Sequence, residues 1–294
     1  MRTVYLGTSE FAAAVLRDLA LGPHRPRLVL TRPDRPAGRG RKLTSPPVAG
    51  VARELGLELA QPESINTDET VELIDSAGAD AVCVCAYGAL IREPLLSRYS
   101  MLNVHPSLLP RWRGAAPIER AIMAGDETAG VSIMRVTEGL DAGPVCAQER
   151  TPIAPDDTYG TLAERLEELG SALLVHALEH NPPFTEQDES QATYAEKITA
   201  ADRRLDPGRA AAELERVVRA LHPHIGAQLE LPGGELLGVK EARAVQDSLA
   251  PGTLSYDGGR PLVGCAQGAL ELVTVQPAGR REMSGEDFVR GRRR

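Results

Sequence analysis

Short apolar runs alternating with helical stretches constrain this chain more than any other feature. Residues 3–6, 27–30, 81–86, 101–104 and 131–136 read as strands. Between them, 9–21, 47–55 and 115–124 have helical patterning, and 159–179 repeats Leu162, Leu166, Leu169, Leu173 and Leu174 at helical spacing. Strand–helix alternation of this kind predicts an α/β fold with a Rossmann-like, mostly parallel sheet covered on both faces.

One strand carries chemistry. In Leu102-Asn103-Val104-His105-Pro106, Asn103 and His105 stand two apart and point to one side, while Val104 points to the other. Pro106 has no N–H for a central ladder and ends the strand there. An imidazole and an amide at a strand's carboxyl end stand where open α/β sheets place ligands. Asp141, flanked by glycines in Glu138-Gly139-Leu140-Asp141-Ala142-Gly143, is expected to reach the same site in the exit loop of strand 131–136. Each residue alone has an ordinary structural reading as a turn cap, a core histidine or a loop Asp.

The run Ser107-Leu108-Leu109-Pro110-Arg111-Trp112-Arg113-Gly114-Ala115-Ala116-Pro117-Ile118 makes those ordinary readings hard to hold together. It resembles the signature segment of the folate-dependent formyltransferases, and the resemblance extends from Leu6-Gly7-Thr8 to Gln276-Pro277-Ala278-Gly279. The resemblance implies that 10-formyltetrahydrofolate is the formyl donor and co-substrate, and that methionyl initiator tRNA is the acceptor. It implies Asn103, His105 and Asp141 as catalytic residues. Folate-binding positions carried over from the family are Ser107, Leu108, Leu109, Pro110, Tyr87, Gly88 and Leu90, together with Arg135, Val136 and Leu140. The segment from Arg32 to Thr44 resembles the family's tRNA-reaching insertion, with Arg35, Arg39, Arg41 and Lys42 as its contact residues. A glycinamide ribonucleotide or amino nucleotide-sugar acceptor is the alternative, but it has no evident need for a basic insertion. A formyl-folate hydrolase and a tRNA-binding module without catalysis are further readings.

Charge bears on the RNA partner. The chain's net charge of -8 disfavours RNA at first sight, but the charge is uneven: residues 1–207 hold 21 Lys plus Arg against 30 Asp plus Glu, and 208–294 hold 12 against 11. Five basic residues stand against Asp34 between Arg32 and Lys42, on a segment whose Pro and Gly content suggests a loop that is not ordered before tRNA binds. Six arginines stand against three acids from Arg280 onward. Such clusters are the electrostatic footprint of phosphate binding.

The polar stretch 185–202 has a linker's composition, after Asn181-Pro182-Pro183 stops the long helix. The expected division is a catalytic domain at 1–188, a linker at 189–207 and a tRNA-binding domain at 208–294. Asp206-Pro207 reads as a helix start, followed by Leu214, Val217, Val218 and Leu221 on one face. Short strands near 228–231, 236–245, 252–256, 262–265 and 269–275 follow, and the resemblance makes them an OB-like β-barrel domain. His222-Pro223-His224-Ile225-Gly226-Ala227 stands where the family suggests aromatic residues, so base stacking loses ground to phosphate contacts there.

Two other patterns are weak. Gly7-Thr8-Ser9 follows a strand but lacks the G-x-G-x-x-G of a dinucleotide site. His176-Ala177-Leu178-Glu179-His180 matches H-x-x-E-H, but it lies in the last turn of a helix with no third ligand evident, so no metal is expected. His222 and His224 are expected as loop residues. The four cysteines lack metal-ligand spacing and suit free thiols in a reducing compartment. With no apolar run long enough for a membrane span and no leader pattern at the start, a cytoplasmic monomer without membrane contact is the expectation.

Overall fold

The computed structural model describes residues 1–37 and 40–292. By its contacts the chain divides into two compact units, one of Met1–Gly114, Ala129–Thr151 and Ala163–Tyr194, the other of Ala115–Thr128, Pro152–Leu162 and Ala195–Arg294.

The first unit is built on a seven-stranded sheet. Its strands are β1 (Thr3–Gly7), β2 (Pro26–Leu30), β5 (Leu59–Ala60), β6 (Ala81–Cys85), β7 (Met101–His105), β8 (Thr128–Arg135) and β9 (Val145–Pro152). β3 (Arg35–Ala37) and β4 (Lys42–Thr44) form a separate hairpin. The sheet order is β9-β8-β7-β6-β1-β2-β5. β1 pairs in parallel with both β2 and β6, and β6 in parallel with β7. The chain therefore runs outward from β1 to β2 and β5, then returns to the other side at β6. The switch point lies between β1 and β6, and ligands of open α/β sheets bind outside the carboxyl ends of such strands.

Residues Thr3–Gly7 and Ala81–Cys85 are buried throughout, as strands covered on both faces must be. The helix α1 (Glu10–Leu21) starts on a Ser9 side chain that accepts from the Ala12 N–H at 3.2 Å. α2 (Pro47–Glu54) follows the hairpin. The sequence reading missed α3 (Asp68–Ala77), although Thr67 caps its start and Gly78 ends it at φ 58°. Val71 and Ile74 of α3 pack on Val4, Leu28, Val82 and Met101. A single-turn α4 (Leu95–Arg98) precedes β7. On the opposite face α6 (Tyr159–His180) crosses β7 and β8 at Gly170, where a Cβ would stand 2.9 Å from Val104 and 3.5 Å from Val131. Val104 thus faces the helix, and Asn103 and His105 face away from it.

The second unit contains α5 (Pro117–Ala124), which packs on α7 (Ala211–Leu221). An antiparallel sheet of β10 (Ala227–Glu230), β11 (Leu236–Val245), β12 (Leu254–Ser255), β13 (Leu262–Gly264), β14 (Ala269–Gln276) and β15 (Met283–Ser284) builds the rest. Its order is β10-β11-β14-β13-β12, with β15 beside β14. Leu214, Val217, Val218 and Leu221 of α7 are buried in the same core as Leu237, Val239 and Leu272. Phe288 of α8 (Gly285–Arg292), a helix absent from the sequence reading, joins it. The antiparallel pairing agrees with the small β domain expected.

Three expectations need correction. Helix α7 starts at Ala211, not at Asp206-Pro207, because the Asp206 carboxylate accepts the Gly208 N–H at 2.9 Å and closes a local turn instead. β8 runs antiparallel to β7, pairing Leu102 with Arg135 and His105 with Ser132, so its exit loop leaves at the far end from His105. The loop reaches the site only by doubling back. The basic segment is no plain loop but the β3–β4 hairpin. At its base the Asp34 carboxylate accepts from Gln61 at 2.7 Å and from Ser45 at 2.8 Å, and these hydrogen bonds hold it below the usual carboxylate range.

Candidate active site

At the carboxyl end of β7, His105 is 5% exposed. Its Nε2 lies 2.9 Å from the Trp112 carbonyl. That oxygen can only accept, so Nε2 carries the proton and the ring is held in one orientation. Nδ1 then turns toward Asp141, with 3.7 Å to Oδ2. This exceeds hydrogen-bond length but is well inside the range of a strong Coulomb attraction for a charged imidazole. Asp141 Oδ2 itself accepts the Gly114 N–H at 2.9 Å. Asn103 is half-buried on the same face, and its carboxamide has no hydrogen-bond partner among the described residues.

Two of the elements that meet here hold a non-glycine residue in the left-handed region. Trp112 has φ 64° and Asp141 φ 47°. Ala86, at the end of β6, has φ 42°. Each conformation costs on the order of 1 kcal/mol and persists only where surrounding contacts impose it, and such residues cluster at functional sites. Beyond Ala86, the Tyr87 carbonyl accepts the Thr8 hydroxyl at 2.8 Å, which ties together the loops leaving β6 and β1. The Asp141 loop returns because Gly143 lies flat on β8: a Cβ there would stand 1.9 Å from the Arg135 carbonyl. The Arg135 N–H donates to Pro144 at 2.9 Å beside it.

The signature segment is anchored from below. Buried Ser132 donates its hydroxyl to the Ser107 carbonyl at 2.6 Å and accepts the Leu109 N–H at 3.1 Å. Gln148 donates to that hydroxyl at 2.9 Å and to the Leu109 carbonyl at 2.7 Å. Ser107 donates to the Arg111 carbonyl at 2.6 Å. Neither Ser132 nor Gln148 was legible in the sequence, since their partners lie sixteen or more residues away.

The expected folate positions scatter more than the expected catalytic trio. Ser107, Leu109 and Tyr87 are buried, Leu108 is half-buried against Gly130, and Val136 is half-buried beside Met101. Gly88, Leu90, Arg135 and Leu140 are exposed, the Arg135 guanidinium lying 4.2 Å over the Phe184 ring. Leu109 and Pro110 line a cavity of about 370 Å³ with Cys146, Gln148 and Gln187, a lining that does not include Asn103, His105 or Asp141. In the basic hairpin, Arg41 and Lys42 are exposed, while Arg35 is paired with Glu63 at 2.9 Å. Arg39 lies outside the described residues.

Of the other singled-out histidines, His176, His180 and His224 have structural partners, whereas His222 Nδ1 is buried without a hydrogen-bond partner among the described residues. His180 donates through Nδ1 to the His176 carbonyl at 3.1 Å, and the two rings stack 4.4 Å apart. His224 lies in the turn after α7, as expected, where it stacks 3.7 Å from Tyr159 and meets Glu119 at 3.0 Å, so its ring face is already used. Among the described residues no group of three His, Cys, Asp or Glu is placed to hold a metal ion, and no helix is long and apolar enough to cross a membrane. Cys83 and Cys85 are free, and burial pushes both thiols up to about 12.

Residues 1–178 match the model of the formyl transferase family, and 197–293 that of the formyl transferase C-terminal domain. The methionyl-tRNA formyltransferase of Halorhodospira halophila is 43% identical over 99% of this chain and 96% of its own length. The structure of HypX from Aquifex aeolicus in complex with tetrahydrofolic acid is similar with a TM-score of 0.66 at 18% identity, over 98% of this chain and 47% of that one. WlaRD, a sugar 3N-formyltransferase solved in the presence of dTDP and 5-N-formyl-THF, has a TM-score of 0.67 at 14% identity, over 96% and 99% of the two chains. The two structural likenesses establish the fold. With both family models matched and close identity to a relative over nearly its whole length, the chain belongs to the formyl transferase family and groups there with the methionyl-tRNA formyltransferases.

Proposed function

We propose that this chain transfers the formyl group of 10-formyltetrahydrofolate to the free α-amine of methionine esterified to initiator tRNA. The observation that carries this reading is the approach of Asp141 to His105 at the end of β7, with Asn103 two residues back on the same strand face, in a chain so similar to a methionyl-tRNA formyltransferase. A half-buried carboxamide without a protein partner, beside a buried imidazole, suits a polar acyl group rather than an apolar ligand. The folate would lie outside the carboxyl ends of β1, β6 and β7, bordered by Tyr87, Gly88 and Leu90, by Ser107, Leu108, Leu109 and Pro110, and by Arg135, Val136 and Leu140. Bound there, 10-formyltetrahydrofolate supplies the activated formyl carbon.

When the amine attacks that carbon, negative charge develops on the formyl oxygen, and the Asn103 amide N–H is free to donate to it. The imidazole of His105, its Nε2–H fixed on Trp112, keeps Nδ1 beside the Asp141 carboxylate at the edge of the reacting centre. A proton leaves the amine as the new N–C bond forms, and one reaches the folate nitrogen as the old bond breaks. His105 and Asp141 are placed to carry it. Arg35, Arg39, Arg41 and Lys42 would meet the acceptor end of the tRNA. On this reading 1–188 carries the transfer and 208–294 the RNA, joined by 189–207, in a monomer working in the cytoplasm.

The test is single-turnover formylation of methionyl initiator tRNA by the full chain and by His105→Ala. Product from the parent, with a rate lower by about 100-fold or more in the variant, is the expected result. No product from a folded parent that still binds formyl-folate rejects the tRNA acceptor. A small-amine acceptor is not favoured, because likeness to the sugar formyltransferase rests on fold alone.

A further inference from the structure

We infer that the polar stretch from Gln187 to Thr193, which composition reads as linker, is a clamp that positions both groups facing His105, with Gln187 acting through Asp141 and Thr193 through Trp112. The inference rests on the catalytic reading of His105 and Asp141 above.

Gln187 donates both amide hydrogens, to the Asp141 carbonyl at 2.8 Å and to the Gly143 carbonyl at 2.7 Å. Its Oε1 accepts from Arg113 Nε at 3.1 Å and Nη2 at 2.9 Å. Two donors and two acceptor sites are thus all used, so the amide has only one orientation. Arg113 is 1% exposed and forms a second, bidentate pair with Glu189, at 2.9 and 2.7 Å. The Glu189 carboxylate holds the guanidinium firmly charged. Further along, Thr193 Oγ1 accepts the Trp112 N–H at 2.9 Å and the Thr193 carbonyl accepts the Arg113 N–H at 2.9 Å.

The left-handed backbones at Asp141 and Trp112 are therefore gripped by one short segment. Gln187 holds the first at the Asp141 carbonyl, and Thr193 the second at the Trp112 N–H. The same two residues supply the carboxylate and the carbonyl that face the two nitrogens of His105. Gly114, next to Arg113, adds the N–H that holds Asp141 Oδ2. Release of either grip lets a left-handed residue relax and moves its group off the imidazole. A displacement of about 1 Å costs on the order of 100-fold in rate.

Gln187→Glu separates positioning from folding. The replacement keeps the shape and strengthens the pair with Arg113, but sets a carboxylate oxygen against two carbonyls. Thr193→Val likewise keeps shape and loses only the acceptor. The full chain and these variants would be compared by hydrogen exchange of loop 136–144 and by single-turnover formylation. Expected are faster exchange of the loop in Gln187→Ala and Gln187→Glu, a 10- to 100-fold lower rate in both and in Thr193→Val, and a KM for methionyl-tRNA within about twofold of the parent. Combining Gln187→Ala with Asp141→Asn should slow the reaction no more than Asp141→Asn alone, since the two act at one point. Parental exchange in Gln187→Glu, or rate losses that multiply in the double variant, would overturn the clamp. A parent that makes no formyl-methionyl-tRNA overturns the acceptor reading, while loop exchange still decides the clamp.

Discussion

Asn103 is the one polar side chain of the trio left without a partner among the described residues, which leaves its amide open for the role proposed for it. A donor already aimed at developing charge needs no reorganisation, so Asn103→Ala should lower the single-turnover formylation rate by about 100- to 1,000-fold with little change in melting temperature. Glu167 is the opposite case, a carboxyl the mechanism does not use. Burial first, then Glu164, Glu10, Asp18 and Glu168, push it from 4.5 to about 7. Because the folded value lies above the unfolded one, the neutral form is favoured in the fold. That stabilisation is full below about pH 4.5 and is lost as pH rises through about 7. Glu167→Gln should therefore melt a few degrees above the parent at pH 8 and together with it at pH 4.5, the half-exposed site limiting the gain to about 1 kcal/mol.

Among the elements, the loop between β8 and β9 decides whether Asp141 reaches His105. It starts at the far end of an antiparallel strand and returns only because Gly143 lets the backbone lie on Arg135. Gly143→Ala would drive a methyl into that carbonyl. The expected cost is about 2 kcal/mol in urea unfolding, accompanied by loss of formylation, whereas Gly139→Ala, facing the Ala142 methyl at 3.0 Å and Thr137 Oγ1 at 3.9 Å, should be milder on both measurements. The β3–β4 hairpin depends in the same way on Asp34 at its base. Asp34→Ala should raise the KM for methionyl-tRNA several-fold and leave the affinity for folate unchanged, as measured by steady-state kinetics and fluorescence titration.

At the scale of the whole molecule, a chain of net charge -8 binds a polyanion only through local clusters, and the exposed Arg41 and Lys42 form one. Replacing both with Ala should flatten the slope of log affinity for tRNA against log salt by about 1 to 2 units, with the parental slope unchanged if they do not touch phosphate. The alternation of strands β1, β2, β6, β7 and β8 with helices α1, α2, α5 and α6, the outward direction of Asn103 and His105 and the apolar face of α7 follow from local rules, whereas α3, α8 and the β3–β4 hairpin were not read from them. Period-2 and period-3.6 patterning, and a proline that ends a strand, act within a few residues, and a sequence displays them. The signature segment made the family legible for the same reason, being contiguous. Tertiary structure alone decided that β8 runs antiparallel, that Asp141 doubles back, that Trp112 rather than Asp141 orients His105, and that Gln187 and Thr193 grip the site. Each of these depends on hydrogen bonds or close approaches between residues far apart in the chain, or on a backbone carbonyl whose direction no side-chain pattern encodes. Such partners share no local period, and only packing brings them together.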